Sequence, residues 1–148
     1  MIIRQAQRGD IPIIAGFQMA MALETENLTL DPDKVAKGVA AVFDKPSRGF
    51  YYVAEDKDKI AGCLLTTFEW SDWRNGTVLW IQSVYVLPDY RRQGIYAALY
   101  RYVKNLVEND PDLFGIRLYA DISNTVAHKA YIKMGMNGDH YKTFEWMK

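Results

Sequence analysis

One stretch carries the residue types and spacing that could do chemistry: Val84-Tyr85-Val86-Leu87-Pro88-Asp89-Tyr90-Arg91-Arg92-Gln93-Gly94-Ile95-Tyr96-Ala97. It reads as an apolar strand, a basic turn with one glycine, and the start of a helix. The first amides of a helix have no intrahelical acceptor, and the positive end of the helix dipole lies there. With two arginines beside it, such a turn can hold an anion such as a phosphate. The alternative for Arg91 and Arg92 is a pair of solvated loop charges; the glycine and the helix start behind them favour phosphate.

The elements that must position this turn follow from local signals. Ile2 and Ile3 open a strand. Asp10 is expected to cap a helix with Pro12 in its first turn, and Ile14, Phe17 and Met21 give that helix one apolar face. Asp31-Pro32 starts a second helix whose stripe is Val35, Val39 and Phe43. It ends before Pro46, because the residue preceding a proline disfavours helix. Strands are expected at 50–55, 60–68 and 77–87, with Asn75-Gly76 as a tight hairpin turn. After the basic turn, Ile95, Ala98, Leu99, Tyr102, Val103 and Leu106 make a helical face. A strand at 115–121 follows, then a short helix capped by Ser123 and closed at Gly135, and a last strand at 141–147. The expectation is one α/β domain over residues 1–148, with a mixed, mostly antiparallel twisted sheet flanked by about four helices.

Composition narrows the classes. At 148 residues the chain is large enough for one core. Apolar residues make up 49% and charged residues 24%, as in ordinary globular proteins. A formal net charge of zero gives no electrostatic case for nucleic acid or an anionic membrane. No apolar run has the length of a membrane span, and the N-terminus does not read as a signal peptide. The single Cys63 leaves no internal disulfide and no cysteine metal cage, so the expected setting is cytoplasmic and the expected site metal-free.

The turn and a second pattern together resemble the GNAT superfamily of acyl-CoA-dependent N-acetyltransferases. Arg91-Arg92-Gln93-Gly94-Ile95-Tyr96 is similar to that family's R/Q-x-x-G-x-G/A signature, and Asn124, Ala127, Tyr131 and Gly135 are similar to its N-x-x-A-x-x-x-Y-x-x-x-G helix. With the element order, the resemblance spans nearly the whole chain. It implies acetyl-CoA as co-substrate, with its pyrophosphate on the amides of residues 91–97. The pantetheine would run along Val84, Tyr85 and Val86 in the manner of an added strand and touch Asn124. Tyr131 would give a proton to the departing thiolate while a primary amine attacks the thioester in a ternary complex. Apart from the resemblance, Tyr131 reads as a core tyrosine and Asn124 as a helix-start residue. Tyr96 departs from the pattern, since the family usually has Gly or Ala there, and its ring must turn aside.

The general base has no assigned residue. Trp80 and Gln82 occupy the two positions where relatives carry a strand glutamate, so Glu69, Glu24, Glu26, His140 or a water chain remain. By the same resemblance, Glu24 and Glu26, with Asp31 near, fall in the wall of the acceptor site and suit a cationic amine; the plainer reading is a solvated helix end. Trp70, Trp73, Trp80 and Tyr85 are pocket or core aromatics. Cys63 reads as a small buried residue, and His128 has no role. Edge strands and the aromatic C-terminal strand allow a homodimer. A non-catalytic acyl-CoA-binding module is the alternative function, motivated by the missing carboxylate. A domain for another phosphate ligand is a third, motivated by Tyr96.

Overall fold

A computed structural model describes all residues 1–148. The chain divides into two compact units, Met1–Arg117 and Leu118–Lys148.

The first unit begins with β1 (Ile2–Gln5) and α1 (Ile11–Glu26). Asp10 stands at the helix start but makes no side-chain cap to α1. Its carboxylate instead accepts the Gln7 N–H at 2.7 Å and the Arg4 guanidinium at 2.8 and 3.2 Å. The expected cap is thereby turned into a staple between β1 and the helix, because a nearby guanidinium binds a carboxylate more strongly than a neutral amide does. α1 ends at Asn27, which takes the left-handed conformation at φ 51°. α2 (Pro32–Asp44) starts as expected: Asp31 accepts from the Asp33 and Lys34 amides at 2.9 and 3.2 Å.

Next come β2 (Phe50–Asp56), β3 (Lys59–Ser71), β4 (Gly76–Val86), α3 (Ile95–Asn109) and β5 (Leu113–Arg117). The sheet order is β1-β2-β3-β4-β5. All neighbours are antiparallel except β4 and β5, which are parallel and joined through α3. Alternation assigns the two faces. Tyr51, Val53, Cys63 and Tyr85 pack with Ile14, Phe17 and Val39 under α1 and α2. Tyr52 points the other way, its ring 5.4 Å from Tyr102 of α3. Leu99 and Val103 of α3 are fully buried. No helix is long and apolar enough to cross a membrane.

Two irregularities shape the functional edge. Leu65 pairs with Ser83 but Thr66 pairs with Ile81, so Gln82 is an extra residue in β4, a β-bulge. β5 pairs with β4 only over Thr77 to Trp80. From Ile81 to Val86, β4 therefore has β3 as its only strand neighbour.

The β3–β4 connection differs from a two-residue Asn-Gly hairpin. β3 continues to Ser71, which pairs with Gly76, and residues 72–75 form a four-residue turn with Asn75 left-handed at φ 49°. β5 runs over Leu113–Arg117 rather than 115–121, because its ladder with β4 ends at Trp80.

In the second unit, α4 covers Thr125–Lys133. Its N-cap is Asn124, whose Oδ1 accepts the Ala127 N–H at 3.1 Å. Ser123 is not the cap, because Asp121 captures both its N–H at 2.8 Å and its hydroxyl at 2.5 Å. The helix closes as expected at Gly135 with φ 87°: the Gly135 N–H bonds Ile132 O at 2.9 Å and the Met136 N–H bonds Tyr131 O at 3.0 Å. Residues 141–147, expected as a strand, form none. Alternating side chains favour an extended segment, but a strand exists only where a neighbouring edge accepts its N–H and C=O groups.

Candidate active site

The turn between β4 and α3 is built from backbone bonds and two left-handed residues. The Leu87 N–H bonds Ala61 O at 2.9 Å, which ties the end of β4 to β3. Residues 88–90 form a single 3₁₀ turn, and the Gln93 amide holds Asp89 O at 2.8 Å. Arg92 has φ 60° and Gly94 has φ 79°. A non-glycine residue at positive φ is uncommon and strained, and such residues cluster at ligand sites.

Gly94 is the N-cap of α3 and no side chain caps the helix. The first helical bond runs from the Ala98 N–H to Gly94 O at 2.9 Å. The first-turn N–H groups of an α-helix precede the i−4 ladder and point out of its N-terminus. A Cβ placed on Gly94 would meet nothing within 4 Å. Arg92, in the same turn, is exposed. The Tyr96 ring lies 6.5 Å from that of Tyr100, one turn further along α3.

Arg91 is differently placed. Its Nε donates to Val86 O at 2.9 Å, and its Nη2 pairs with Glu24 Oε2 at 2.5 Å. The other Glu24 oxygen accepts the Tyr85 hydroxyl at 2.8 Å. The guanidinium also lies over the Tyr85 ring, 5.5 Å from its centre. The end of α1, the end of β4 and the basic turn therefore meet at one carboxylate. Arg91 and then Tyr85 hold the Glu24 carboxyl below its usual range. Burial, followed by Glu24, pushes the Tyr85 phenol up. Spacing alone carries no sign of this contact, since Glu24 and Arg91 are 67 residues apart. Glu26 sits exposed at the last position of α1.

A second carboxylate lies further along the sheet. Glu69 Oε1 accepts Trp80 Nε1 at 2.9 Å, and its Oε2 pairs with Arg117 at 2.5 Å. Trp80 and then Arg117 hold its carboxyl down. With both oxygens engaged and its basicity lowered, Glu69 is a poor proton acceptor at neutral pH. Gln82, in the bulge, donates to Thr67 Oγ1 at 2.9 Å. The four pocket aromatics do not share one pocket. Trp70 and Trp73 are exposed at the β3–β4 turn, at the opposite end of β4 from the buried Tyr85. Cys63 is buried, and burial pushes its thiol up to about 12.

In the second unit, Asn124 caps α4 and Ala127 and Tyr131 follow on one helix face, four residues apart. Tyr131 is half-buried. His128 Nε2 contacts Asp121 O at 2.9 Å, and the His140 ring stands edge-on to Tyr141, 4.6 Å between centres. The structure thus brings Glu24, Tyr85, Val86 and Arg91 together, and separately groups Asn124 with Tyr131.

Residues 18–136 match the model of the acetyltransferase (GNAT) family. The chain belongs to that family. Among solved structures, it is 41% identical to a possible acetyltransferase from Clostridium difficile 630, with a TM-score of 0.93 over 99% of this chain and 97% of that one. A transcriptional regulator from Bacillus halodurans C-125 shares the fold at 19% identity and TM-score 0.84, covering 99% of each chain. So does the aminoglycoside acetyltransferase meta-AAC0020 from an uncultured soil metagenomic sample, solved with sisomicin. It is 17% identical with TM-score 0.76, over 99% of this GNAT chain and 96% of that protein. No curated protein matches the chain in sequence. These proteins share the overall fold.

Proposed function

We propose that residues 1–148 act as one cytoplasmic N-acetyltransferase domain that moves an acetyl group from acetyl-CoA to a primary amine by direct attack. The observation that carries this reading is the uncapped start of α3 behind the left-handed Arg92–Gly94 turn, beside a β4 edge with no neighbour from Ile81 to Val86. The first-turn amides of α3, with the positive end of its dipole, and the exposed Arg92 suit a pyrophosphate. The open β4 edge suits the amide groups of a pantetheine arm, which pair like an added strand. When bound, acetyl-CoA supplies an acyl group already activated as a thioester.

The chain's own part is to hold the cofactor, receive the amine and manage two protons. Asn124 spends its side-chain oxygen on the α4 cap, so its amide N–H groups are what it can offer the pantetheine. Tyr131 donates its phenolic proton to the departing sulfur. Glu24 and Glu26, at the end of α1, give the acceptor side acidic character. A cationic amine suits that wall, and an aminoglycoside acetyltransferase of the same fold is consistent with it.

The test is acetyl-CoA-dependent thiol release with a panel of amines sorted by charge. Tyr131→Phe should lower kcat roughly 100-fold, within the usual range for loss of a proton donor, and leave the Kd for coenzyme A unchanged. An unchanged kcat removes Tyr131 from the mechanism.

One observation favours a second reading, a non-catalytic acyl-CoA-binding module. Glu69 has both oxygens occupied, and Trp80 and Gln82, at the positions where the family resemblance implies a base, are not carboxylates. That reading expects coenzyme A binding with no thiol release from any amine.

A further inference from the structure

α3 is short for the strands it lies on. Its 15 residues span about 22 Å, whereas the 13 residues of β3 reach about 43 Å. The middle of the helix covers the sheet, with Leu99 and Val103 fully buried. One turn later the apolar stripe fades. Leu106 is half-buried, and the next positions on that stripe are Asn109 and Asp110, where the helix stops. Further along β3, Phe68 is left 41% exposed, edge-on to Phe50 with 6.1 Å between ring centres. The result is a groove of about 560 Å³ whose lining includes Phe50, Phe68, Leu106, Leu113 and the buried Leu79. A well-packed interior leaves few voids larger than a water molecule, and pockets for small molecules run from about 300 to 1,000 Å³. An apolar cavity of about 150 Å³ already takes a benzene ring.

The mouth of the groove has a definite polarity. Asn109 Nδ2 donates to Asn105 O at 2.7 Å, so its Oδ1 is the end left for a ligand. Asp110 is the only charged residue in the lining. One of its oxygens accepts the Asp112 N–H at 2.9 Å, and no Lys or Arg pairs with its carboxylate. The groups offered there are acceptors, and the charge is negative.

We propose that this groove binds a small aromatic ammonium ion, its ring among Phe50, Phe68 and Leu113 and its N–H directed to Asp110 and Asn109 Oδ1. The ring fills the apolar part in edge-to-face contact with the phenylalanines, and the cation meets the unpaired carboxylate at the mouth. A carboxylate ligand of the same size would meet repulsion instead. The site lies at the far end of α3, about one helix length from the basic turn, and takes its ligand whether or not the chain transfers an acetyl group.

The probe is N,N-dimethylphenethylammonium, whose tertiary nitrogen forms no stable amide, with 3-phenylpropionate as a control of similar size and opposite charge. Calorimetry on the full chain should give a Kd of about 0.1–1 mM for the probe, unchanged by excess coenzyme A. Intermolecular NOEs should run from the probe ring to Leu106 and Leu113. The control should bind at least ten-fold more weakly. Asp110→Asn keeps an acceptor for the Asp112 N–H and should weaken probe binding about three- to five-fold, the range for one exposed ion pair. Leu106→Trp, which fills the groove, should abolish binding while keeping the circular dichroism spectrum. No binding at about 10 mM probe overturns the inference. So does binding that coenzyme A displaces, equal affinity for 3-phenylpropionate, or an unchanged Kd in Asp110→Asn. If coenzyme A itself does not bind, the cofactor reading fails and the result for the groove stands.

Discussion

Glu24→Gln separates two roles that the structure places on one carboxylate. The substitution removes the negative charge that pairs with Arg91 at 2.5 Å but leaves an amide oxygen that can still accept the Tyr85 hydroxyl, now at 2.8 Å from Oε1. The side chains of Glu24 and Arg91 are 39% and 45% exposed, so the pair contributes only about 0.2–1 kcal/mol to stability. Thermal unfolding should therefore move little. The effect on an anionic ligand is larger. A like charge close to a bound phosphate is worth about 1 kcal/mol in a water-like dielectric. Its removal should tighten coenzyme A binding about five-fold. Calorimetry at low salt reads this directly, and the gain should shrink at about 0.5 M salt, where screening shortens the reach of the charge. In the same variant, KM for a cationic amine should rise. Weaker coenzyme A binding in Glu24→Gln would refute the reasoning, because it would mean that Glu24 serves the turn by holding Arg91 rather than by lending charge to the acceptor side.

Two further perturbations test the frame around the site. At Asp10, burial pushes the carboxyl up, but Arg4 and the Gln7 N–H outweigh it and hold the group below its usual value. The charged form is therefore favoured by folding, and its contribution is full above the ordinary carboxylate pKa of about 3.9 and lost as pH falls below it. Asp10→Asn should cost about 1–3 kcal/mol at pH 7 and flatten the loss of stability in acid, read from urea midpoints between neutral and acid pH. An acid limb as steep as that of the wild type would count against this assignment. Gly94→Ala adds a methyl group in open space at φ 79°, so the cost to stability is backbone strain alone, about 1 kcal/mol. Because that methyl lies beside the first-turn amides of α3, coenzyme A should bind at least ten-fold more weakly to a folded protein; unchanged binding would place the anion elsewhere.

What the sequence makes legible here is what neighbours in the chain decide. The Asp31 cap, the Pro46 stop, the start of α3 at Ile95 and the left-handed close at Gly135 all depend on residues within one turn of each other. Each is found where local chemistry puts it. The alternation of β2 and β3 is equally local, and it is enough to divide Tyr51 from Tyr52 between the two faces. The links that matter most to the site join distant parts of the chain. Glu24 meets Arg91 across 67 residues and Glu69 meets Arg117 across 48, and no spacing rule connects them. Asp10 and Ser123 show a subtler limit. Both are good cap residues by type, but a stronger partner takes up each one, Arg4 in the first case and Asp121 in the second.

The bulge at Gln82 acts as a phase shifter for β4. Above it, Tyr85 faces α1; below it, Ile81 and Leu79, of the same odd parity, face the side of the sheet that carries α3. A single inserted residue lets one strand send odd-numbered side chains to both cores. The two halves of β4 are thus read in different frames, and loss of Gln82 would throw one half out of step with its neighbours in the way that a frameshift scrambles every codon downstream of it. Substitution at that position alters one contact, whereas deletion would turn Leu79 and Ile81 out of one core or Tyr85 out of the other.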